Sequence, residues 1–353
     1  MNHRPTVDPT DTPIKQAITY GVTAPNPHNT QAWKFELLSD TEMQVYIDPD
    51  RLLPVTDPPA RQIHIGSGCF IETLAVGASA MGYETHVDYF PQGTYPFEEI
   101  GQKPVAKLSL TRRENMPKDI LFDAIYTRQT NRRSYKGPMI TADEIAQIRK
   151  WVGDSEADIF FLNTMSAMKP LLDIFYAAME LECVNRHTYE ETRIWMRFNE
   201  KQRAQKRDGL SVPQTSGVAN LMSRLTELFL ANGNPKRWHN KMSINSYMSG
   251  FKKGLDTAKG LVYFKTDSNE QPVWIKTGRT YARFHLALTK LGFYTHVYSQ
   301  VLQEFPEMAE LYDKFHTHLG IQAPARIQMA VRIGRAEKAY IAPRREIDDY
   351  IIS

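Results

Sequence analysis

The sequence predicts an α+β fold made of two related halves. Predicted strands and helices are mixed along the chain, without the regular βαβ alternation that indicates a parallel sheet. Residues 68–87 and 278–297 align at a constant offset of 210 residues, and both segments end in Thr-His-Val. Repetition at a fixed offset is the sequence signature of an internally repeated structure. The two observations together predict a duplicated chain of mixed architecture.

The elements follow from the hydrophobic pattern in chain order. Strands are predicted at residues 33–38, 105–110, 122–126, 159–162, 261–265 and 327–333. Helices are predicted at the two repeats and at residues 141–151, 165–183, 185–207 and 218–231, with breaks at 209–217 and 232–235. Asp143 and Glu144 favour the start of the helix at 141–151, because acidic groups stabilise the first turn.

Each repeat reads as an apolar helix that ends at a glycine and leads into a strand. Gly82 and Gly292 occupy matching positions and suit the left-handed conformation that commonly follows a helix. Any buried helix that leads into a strand shares part of this pattern. The matched endings at one offset favour duplication over coincidence.

Composition limits the class of protein. The 353 residues are 42% hydrophobic and 24% charged, as in soluble globular proteins long enough to bury a sizeable core. A net charge of +3 gives no global field for nucleic acid or a membrane surface. The two cysteines, Cys69 and Cys183, form no CxxC pair, so we expect no disulfide framework and a cytoplasmic protein. We also expect no signal peptide in residues 1–13 and no apolar run long enough to cross a bilayer.

Residues 24–33, Ala-Pro-Asn-Pro-His-Asn-Thr-Gln-Ala-Trp, form a loop stiffened by two prolines. Asn26, Asn29 and Gln31 offer hydrogen-bond donors and acceptors together, which suits the mixed polar edge of a flat heteroaromatic ligand. Asparagine and proline also serve ordinary turns. The ten residues alone leave a ligand platform and a plain turn equally open.

Arginines cluster at Arg128, Arg132 and Arg133, with Thr130 and Asn131 between them. Planar guanidinium forks and short polar side chains are suited to gripping a phosphate. A second pair, Arg344 and Arg345, follows Pro343. Solvated surface is the commoner position for any one such cluster. No GxGxxG, GxxxxGK[ST] or HExxH motif occurs, so dinucleotide, P-loop and zinc-protease sites have no support and we predict no metal site.

These motifs resemble the nitroreductase family of FMN-dependent oxidoreductases. The loop at residues 24–33 is similar to that family's APSxxNxQPW loop, and Arg128 to Arg132 is similar to its RxSxR phosphate motif. Leu291-Gly292-Phe293 resembles the end of its apolar helix, and Arg344-Arg345 its basic C-terminal pair. The duplication and the Thr-Asn-Arg form of the motif are closest to the Acg branch, whose single chain mimics the homodimer of the family. The resemblance covers most of the chain outside residues 185–252.

The resemblance implies one FMN per chain. Family sites combine a loop from one subunit with phosphate groups from the other, and this chain has one copy of each motif, in opposite halves. The FMN phosphate and ribityl chain are assigned to Arg128, Thr130 and Arg132 with Arg344 or Arg345. The ring is assigned to the loop residues Pro25, Asn26, Pro27 and Asn29.

Ser299 and Gln300 match the family segment near flavin N5, although this chain lacks the usual Pro-x-Glu-Gly pattern there. The loop also departs from the family, with Ala32 in place of a proline and Asn26-Pro27 in place of serines. Hydride transfer at N5 is flavin chemistry for which the protein supplies orientation and charge. We therefore name no catalytic side chain.

The predicted halves are residues 1–115, an incomplete half with the flavin loop, and residues 116–353, with the phosphate arginines. A segment at about 185–250 has no counterpart in small family members. Residues 185–207 carry seven Lys or Arg against three Glu, with Trp195 and Phe198 among them. Long insertions are most often lids or binding loops. A solvated helix is the second interpretation and a nucleic-acid patch the third.

The resemblance implies an oxidoreductase that reduces a nitroaromatic, quinone or similar acceptor with NAD(P)H through flavin N5. The alternative is a flavoprotein that sequesters FMN or senses redox state beneath a closed lid, with little turnover. An interaction module with a degenerate site would bind no FMN. The expected partners are small molecules, without nucleic acid or membrane. The chain is expected to be a monomer that already forms its own pseudo-dimer, with further association possible.

Overall fold

The structure, a computed structural model, describes residues 4–352 and confirms a mixed α+β architecture. Its strands within that range are β1 (Trp33–Leu37), β2 (Glu42–Ile47), β3 (Tyr83–Tyr89), β4 (Ala106–Arg112), β5 (Asp158–Leu162), β6 (Leu261–Thr266), β7 (Tyr294–Val297), β8 (Arg326–Gly334) and β9 (Ile351–Ile352).

The helices connect these strands and cover the sheets. They are α1 (Pro13–Gly21), α2 (Arg61–Ala80), α3 (Ala142–Val152), α4 (Met165–Val184), α5 (Arg186–Trp195), α6 (Glu200–Lys206), α7 (Val212–Ser216), α8 (Leu221–Leu230), α9 (Pro235–Trp238), α10 (Lys241–Asp256), α11 (Gln271–Lys290) and α12 (Ala309–His318).

The two sheets share one order of strands. The first runs β3-β4-β2-β1-β9 and the second runs β7-β8-β6-β5, so each strand from β1 to β4 has a counterpart at the same place. Neighbours are antiparallel in both sheets, except that β9 joins β1 in parallel, with Phe35 opposite Ile351. The chain therefore returns at its C-terminal end to complete the edge of the first sheet, across the predicted boundary between residues 115 and 116.

The two repeat helices, α2 and α11, cross at a pair of glycines. A Cβ atom added to Gly68 would lie 1.9 Å from the Ile275 carbonyl oxygen, and one added to Gly278 would lie 2.0 Å from the Ile65 carbonyl oxygen. The backbones can approach this closely because neither glycine has a side chain. The predicted helix ends are also present, since Gly82 and Gly292 have φ of +81° and +75°.

Helix α2 is the core of the first half. The prediction that no apolar run is long enough to cross a bilayer is wrong, because α2 meets that test by length and composition, but 89% of its apolar window is buried within the protein. One hydrophobic cluster joins both sheets with α2 and α11. A second cluster joins α4, α10 and α12 with the segment between α4 and α10.

Three predicted elements are wrong, and the first is the helix at 185–207, which is divided into α5 and α6 by residues 196–199. Residues 122–126 form a 3₁₀ turn (Phe122–Ala124) instead of a strand, because Asp119 accepts from the Leu121 backbone N–H at 2.8 Å and starts a turn. Phe122 then packs on Tyr20, with ring centres 5.4 Å apart. The predicted break at 209–217 contains the short helix α7, whose first turn includes a proline. By contrast, α3 begins as predicted, with a capping box between Thr141 and Glu144.

Candidate functional site

The loop before β1 is held in an unusual backbone conformation. His28, Asn29 and Gln31 have φ of +45°, +54° and +54°, a region that costs most residues about 1–2 kcal/mol each. The Asn26 side chain accepts from the Gln31 backbone N–H at 2.9 Å and closes the loop on itself. Backbone strain of this kind persists only where the surroundings hold it, and it concentrates at functional sites.

Arg344 supplies much of that support. Its guanidinium is 3% exposed and donates to the carbonyl oxygens of Val22 at 2.6 Å and Ala24 at 2.9 Å, and to Asn29 Oδ1 at 2.8 Å. The Asn29 amide donates in turn to the Gly209 carbonyl at 3.2 Å. Burial, and then the charge of Arg128, lowers the pKa of Arg344 to about 9. Arg344 thus braces the loop against the inserted segment.

A cavity of about 800 Å³ lies against the loop. Pro25, Asn26 and Pro27 line one wall, and Gly66 of α2 lies behind them. A Cβ at Gly66 would come within 3.1 Å of the Pro27 ring, so the helix and the loop are packed closely. The other predicted site residues that line this cavity are Thr130, Arg132, Ser299 and Gln300.

The inserted segment forms another part of the cavity wall. Tyr189 of α5, Leu225 of α8 and Tyr247 of α10 all line the large cavity. That the segment is a lid stays a prediction. Trp195 and Phe198 are 8% and 3% exposed, so these rings are not available to stack on nucleic-acid bases.

Four of the seven basic residues at positions 185–207 are ion-paired, among them Arg207 with Glu346. Arg193 contacts Glu190 at 2.5 Å, Arg197 contacts Asp208 at 2.6 Å, and Arg203 pairs with Glu227. Together with the burial of the two aromatic rings, this pairing argues against the nucleic-acid interpretation.

A second cavity, of about 80 Å³, shares a wall with the first. Four arginines line it: Arg4, Arg128, Arg132 and Arg344. Among its lining residues within the described range there is no carboxylate. The shared wall consists of Pro25, Asn26, His28, Thr130, Arg132 and Leu210. A small basic cavity therefore adjoins a large, mainly apolar one.

The basic cavity holds cationic groups that are only partly satisfied. Arg128 is 3% exposed and donates to the Thr23 carbonyl at 2.8 Å, but its Nε is buried without a hydrogen-bond partner. Arg4 Nε is buried and unpartnered as well. Burial lowers the pKa of Arg128 to about 10 and that of Arg4 well below its ordinary value, with a further decrease for Arg4 from the nearby Arg128. Unpaired buried cations are costly, which favours an anion at this place.

Arg132 and His28 lie where the two cavities meet. Among residues 4–352, the one hydrogen bond that the Arg132 side chain makes is a long one of 3.4 Å to the Gln214 carbonyl, so most of its donors remain available. His28 Nδ1 is buried without a partner. Burial, and secondly the charge of Arg132, lowers the pKa of His28 to about 4, so the imidazole is neutral near pH 7.

The predicted site residues thus fall into three groups. Those that line the large cavity are Pro25, Asn26, Pro27, Thr130, Arg132, Ser299 and Gln300. Asn29, Arg128 and Arg344 line the basic cavity alone. Arg345 lines neither, because its guanidinium donates to the Asp349 carbonyl at 2.5 Å and lies 4.6 Å above the Tyr350 ring.

Sequence reasoning missed Arg4, His28 and Glu182. Arg4 reaches the basic cavity from the N-terminal segment and carries no local motif. His28 was part of the predicted loop but was given no role. Glu182 is the one acidic side chain among the described residues that line the large cavity. The one feature of the sequence that could have pointed to Glu182 is a carboxylate within the apolar helix α4.

No family model matches the sequence. A candidate NAD(P)H nitroreductase of Mycobacterium tuberculosis H37Rv, Rv3131, is 27% identical over 135 residues, which is 38% of this chain and 37% of the relative. The candidate NAD(P)H nitroreductase acg of the same strain is 28% identical over 127 residues, 35% of this chain and 36% of the relative. The chain is therefore similar to these two relatives over a little more than a third of its length.

Solved structures of nitroreductases align with about two thirds of the chain. The FMN-dependent nitroreductase NfnB of Mycobacterium smegmatis, solved with NADPH, covers 64% of this chain and 94% of its own, at 14% identity and a TM-score of 0.39. A Bacteroides fragilis nitroreductase with bound FMN covers 64% and 94%, at 14% identity and a TM-score of 0.36. The roles proposed below therefore rest on the geometry of this chain, since the curated matches span little more than a third of either protein.

Proposed function

We propose that the chain binds one FMN and acts as an NAD(P)H-dependent oxidoreductase on a nitroaromatic, quinone or similar acceptor. The observation that carries the proposal is the carboxylate-free cavity of four arginines that adjoins the large cavity beneath the proline-asparagine loop. A phosphate group fits the first, and a flat ring fits the second. The names of the two curated relatives agree with this assignment.

The arginines would hold the phosphate in different ways. Arg132 has donors available, and Arg128 has its buried Nε without a partner, so these two would supply charge-assisted hydrogen bonds. The donors of Arg344 are already taken by backbone carbonyls and Asn29, so it would contribute charge alone. A dianionic phosphate would offset the repulsion among these buried cations, which is the reason for assigning one here.

The ring would lie against Pro25, Asn26 and Pro27, with Ser299 and Gln300 at another part of the cavity wall. When bound, FMN supplies hydride chemistry at its N5 position. The chain itself would orient the ring and exclude water through the covering helices α5, α8 and α10. No side chain is assigned an acid or base role in this proposal.

We further infer that a duplication produced the two halves and left one flavin site. The 210-residue offset pairs Gly66, behind the flavin loop, with Lys276. Lys276 is ion-paired with Glu156 at 2.6 Å, and Trp274 packs on His64 with ring centres 5.4 Å apart. The counterpart of Gly66 is therefore a partly exposed lysine in an ion pair, and not a glycine packed on a proline ring.

The proposal is tested by titrating the purified protein with FMN and, separately, with riboflavin, which lacks the phosphate. Arg132→Ala should weaken FMN binding by about 10- to 150-fold, since hydrogen bonds to charged groups contribute about 1.5–3 kcal/mol. Riboflavin binding should change little. Arg112→Ala, at an exposed arginine remote from both cavities, is the matched control. A protein that takes up no FMN, or an equal loss for both flavins, would rule out the phosphate assignment.

The covering helices favour a second candidate, a flavoprotein that sequesters FMN with little turnover. Anaerobic mixing with excess NADPH separates the two functions. The enzyme proposal expects the flavin absorbance to bleach and to return when a quinone or nitroaromatic is added. A protein that binds FMN yet stays oxidised would favour sequestration.

A further inference from the structure

Helix α8 carries an apolar stripe that faces away from the protein core. The stripe consists of Leu221, Met222, Leu225, Leu228 and Phe229, which are 72%, 67%, 48%, 73% and 38% exposed. Their spacing places them on one side of the helix, whereas the buried members of α8 are Ser223 and Leu230. The apolar side of an amphipathic helix normally faces the core. Here it faces outwards.

The stripe borders the large cavity. Met222, Leu225 and Phe229 line the cavity and are also exposed, as is Met242 at the start of α10, which is 61% exposed. Exposed lining residues mark the place where the cavity meets the surroundings. Leu221 and Leu228 belong to the stripe but do not line the cavity, so they can be changed without altering its wall.

The charges around the stripe are almost all positive. Exposed basic residues on α8, on α9 and at the start of α10 are Arg224, Lys236, Arg237 and Lys241. The one acidic residue between positions 218 and 243 is Glu227, which is already ion-paired with Arg203. The Arg237 guanidinium lies 5.9 Å from the Phe229 ring centre, so a cation sits directly beside the stripe.

We propose that this stripe docks the protein on an anionic membrane surface. An exposed helix face of leucine, methionine and phenylalanine flanked by Lys and Arg is the combination that binds the interface of anionic bilayers. A second copy of the chain fits the stripe less well, because a two-fold contact would place the flanking Lys and Arg of one copy beside the same residues of the other. The inference does not depend on FMN binding, and it departs from the expectation of no membrane partner that overall charge gave.

The test is co-sedimentation of the full chain with vesicles of phosphatidylcholine alone or mixed with phosphatidylglycerol, with and without FMN. Binding should require the anionic lipid and weaken at high salt, because surface charges are screened. The double variant L221S/L228S should lose at least about tenfold in partitioning, from the loss of two inserted apolar side chains. Ile120→Ser, at an apolar residue 52% exposed and outside the stripe, is the control and should bind as the parent does.

Three outcomes would overturn the proposal. The first is no binding to either vesicle, and the second is equal loss in the double variant and the control. The third is a parent chain that self-associates in sedimentation velocity and a double variant that does not, without any difference in vesicle binding. A thermal melt of each variant identifies any loss that comes from unfolding, and Lys236→Gln with Lys241→Gln gives an independent test of the charges.

Discussion

Glu182 is a buried carboxyl on the wall of an otherwise basic and apolar cavity. It is 6% exposed and accepts from Gln303 Nε2 at 2.7 Å. Burial is the main cause that raises the pKa of Glu182 to about 7. The hydrogen bond from Gln303 partly opposes this increase, and the charge of Glu191 adds a little to it. The side chain can therefore change its charge near neutral pH inside the proposed flavin site.

The titration of Glu182 predicts a pH-dependent stability. The folded protein holds this proton at pH values where the unfolded chain, with an ordinary pKa of 4.5, has lost it. The contribution of Glu182 to the free energy of unfolding thus falls as pH rises from about 4.5 to about 7 and is constant above. Glu182→Gln mimics the protonated form, so its stability relative to the parent should increase by roughly 3 kcal/mol between pH 4.5 and pH 8.

Urea unfolding of both proteins at several pH values measures this difference. The exposed pair Lys252 and Asp256 offers a control, since Asp256→Asn changes a surface carboxyl. A constant difference between Glu182→Gln and the parent across the range would show that the Glu182 carboxyl titrates normally.

At the scale of elements, the crossing of α2 and α11 fixes how the two halves meet. The two glycines at the crossing let the helix backbones touch. A Cβ added to Gly68 would lie 2.9 Å from the Gly278 Cα. Atoms this close are backbone atoms, which cannot move aside as a side chain can. The crossing tolerates no side chain at either position.

Gly68→Ala should therefore lower the free energy of unfolding by at least about 3 kcal/mol, at or beyond the upper end of ordinary overpacking. Gly250→Ala is the matched control, because that helical glycine has no atom within 4 Å of the added Cβ. It should stabilise the protein by about 0.5–1 kcal/mol, through the higher helix propensity of alanine. Chemical denaturation compares the two variants. Similar stability changes in both would mean that α2 and α11 are not packed as closely as described.

Elements with strong local signals could be predicted from the sequence. The capping box of α3, the glycines that end α2 and α11, and the apolar repeat helices all depend on nearby residues. Residues 122–126 could not, because their turn is fixed by Asp119 and by packing on Tyr20. The site shows the same division. The sequence motifs pointed to Arg128, Arg132 and Arg344 as candidates. Only the fold shows that the donors of Arg344 are taken by carbonyl oxygens and that Arg4 lines the same cavity.

At the scale of the whole molecule, the two sheets have the same order of strands apart from the added β9. The single chain therefore resembles two similar subunits joined together. Loop residues 24–31 come from the first half, and Arg128 and Arg132 come from the second, so the proposed site is completed within one chain. We therefore expect one FMN per 40.6 kDa chain, bound by the monomer.

Absorbance at the flavin bands combined with sedimentation velocity measures this stoichiometry. At FMN concentrations of about 100 times Kd, binding should also raise the free energy of unfolding by about 2.7 kcal/mol. Two FMN molecules per chain, or FMN found only in a dimer, would contradict the single composite site. The matched control is Arg132→Ala, which should show a smaller gain at the same FMN concentration.

The hydrogen bond between Arg344 and Asn29 also bears on the order of events during synthesis of the chain. The two residues are 315 positions apart in the sequence, and Arg344 braces the loop at Val22 and Ala24 as well. Because a ribosome releases the N-terminal segment first, the loop emerges long before its brace exists. The loop at residues 24–31 should therefore reach its final conformation only after Arg344 has been synthesised, so that capture of the proposed cofactor would follow that step.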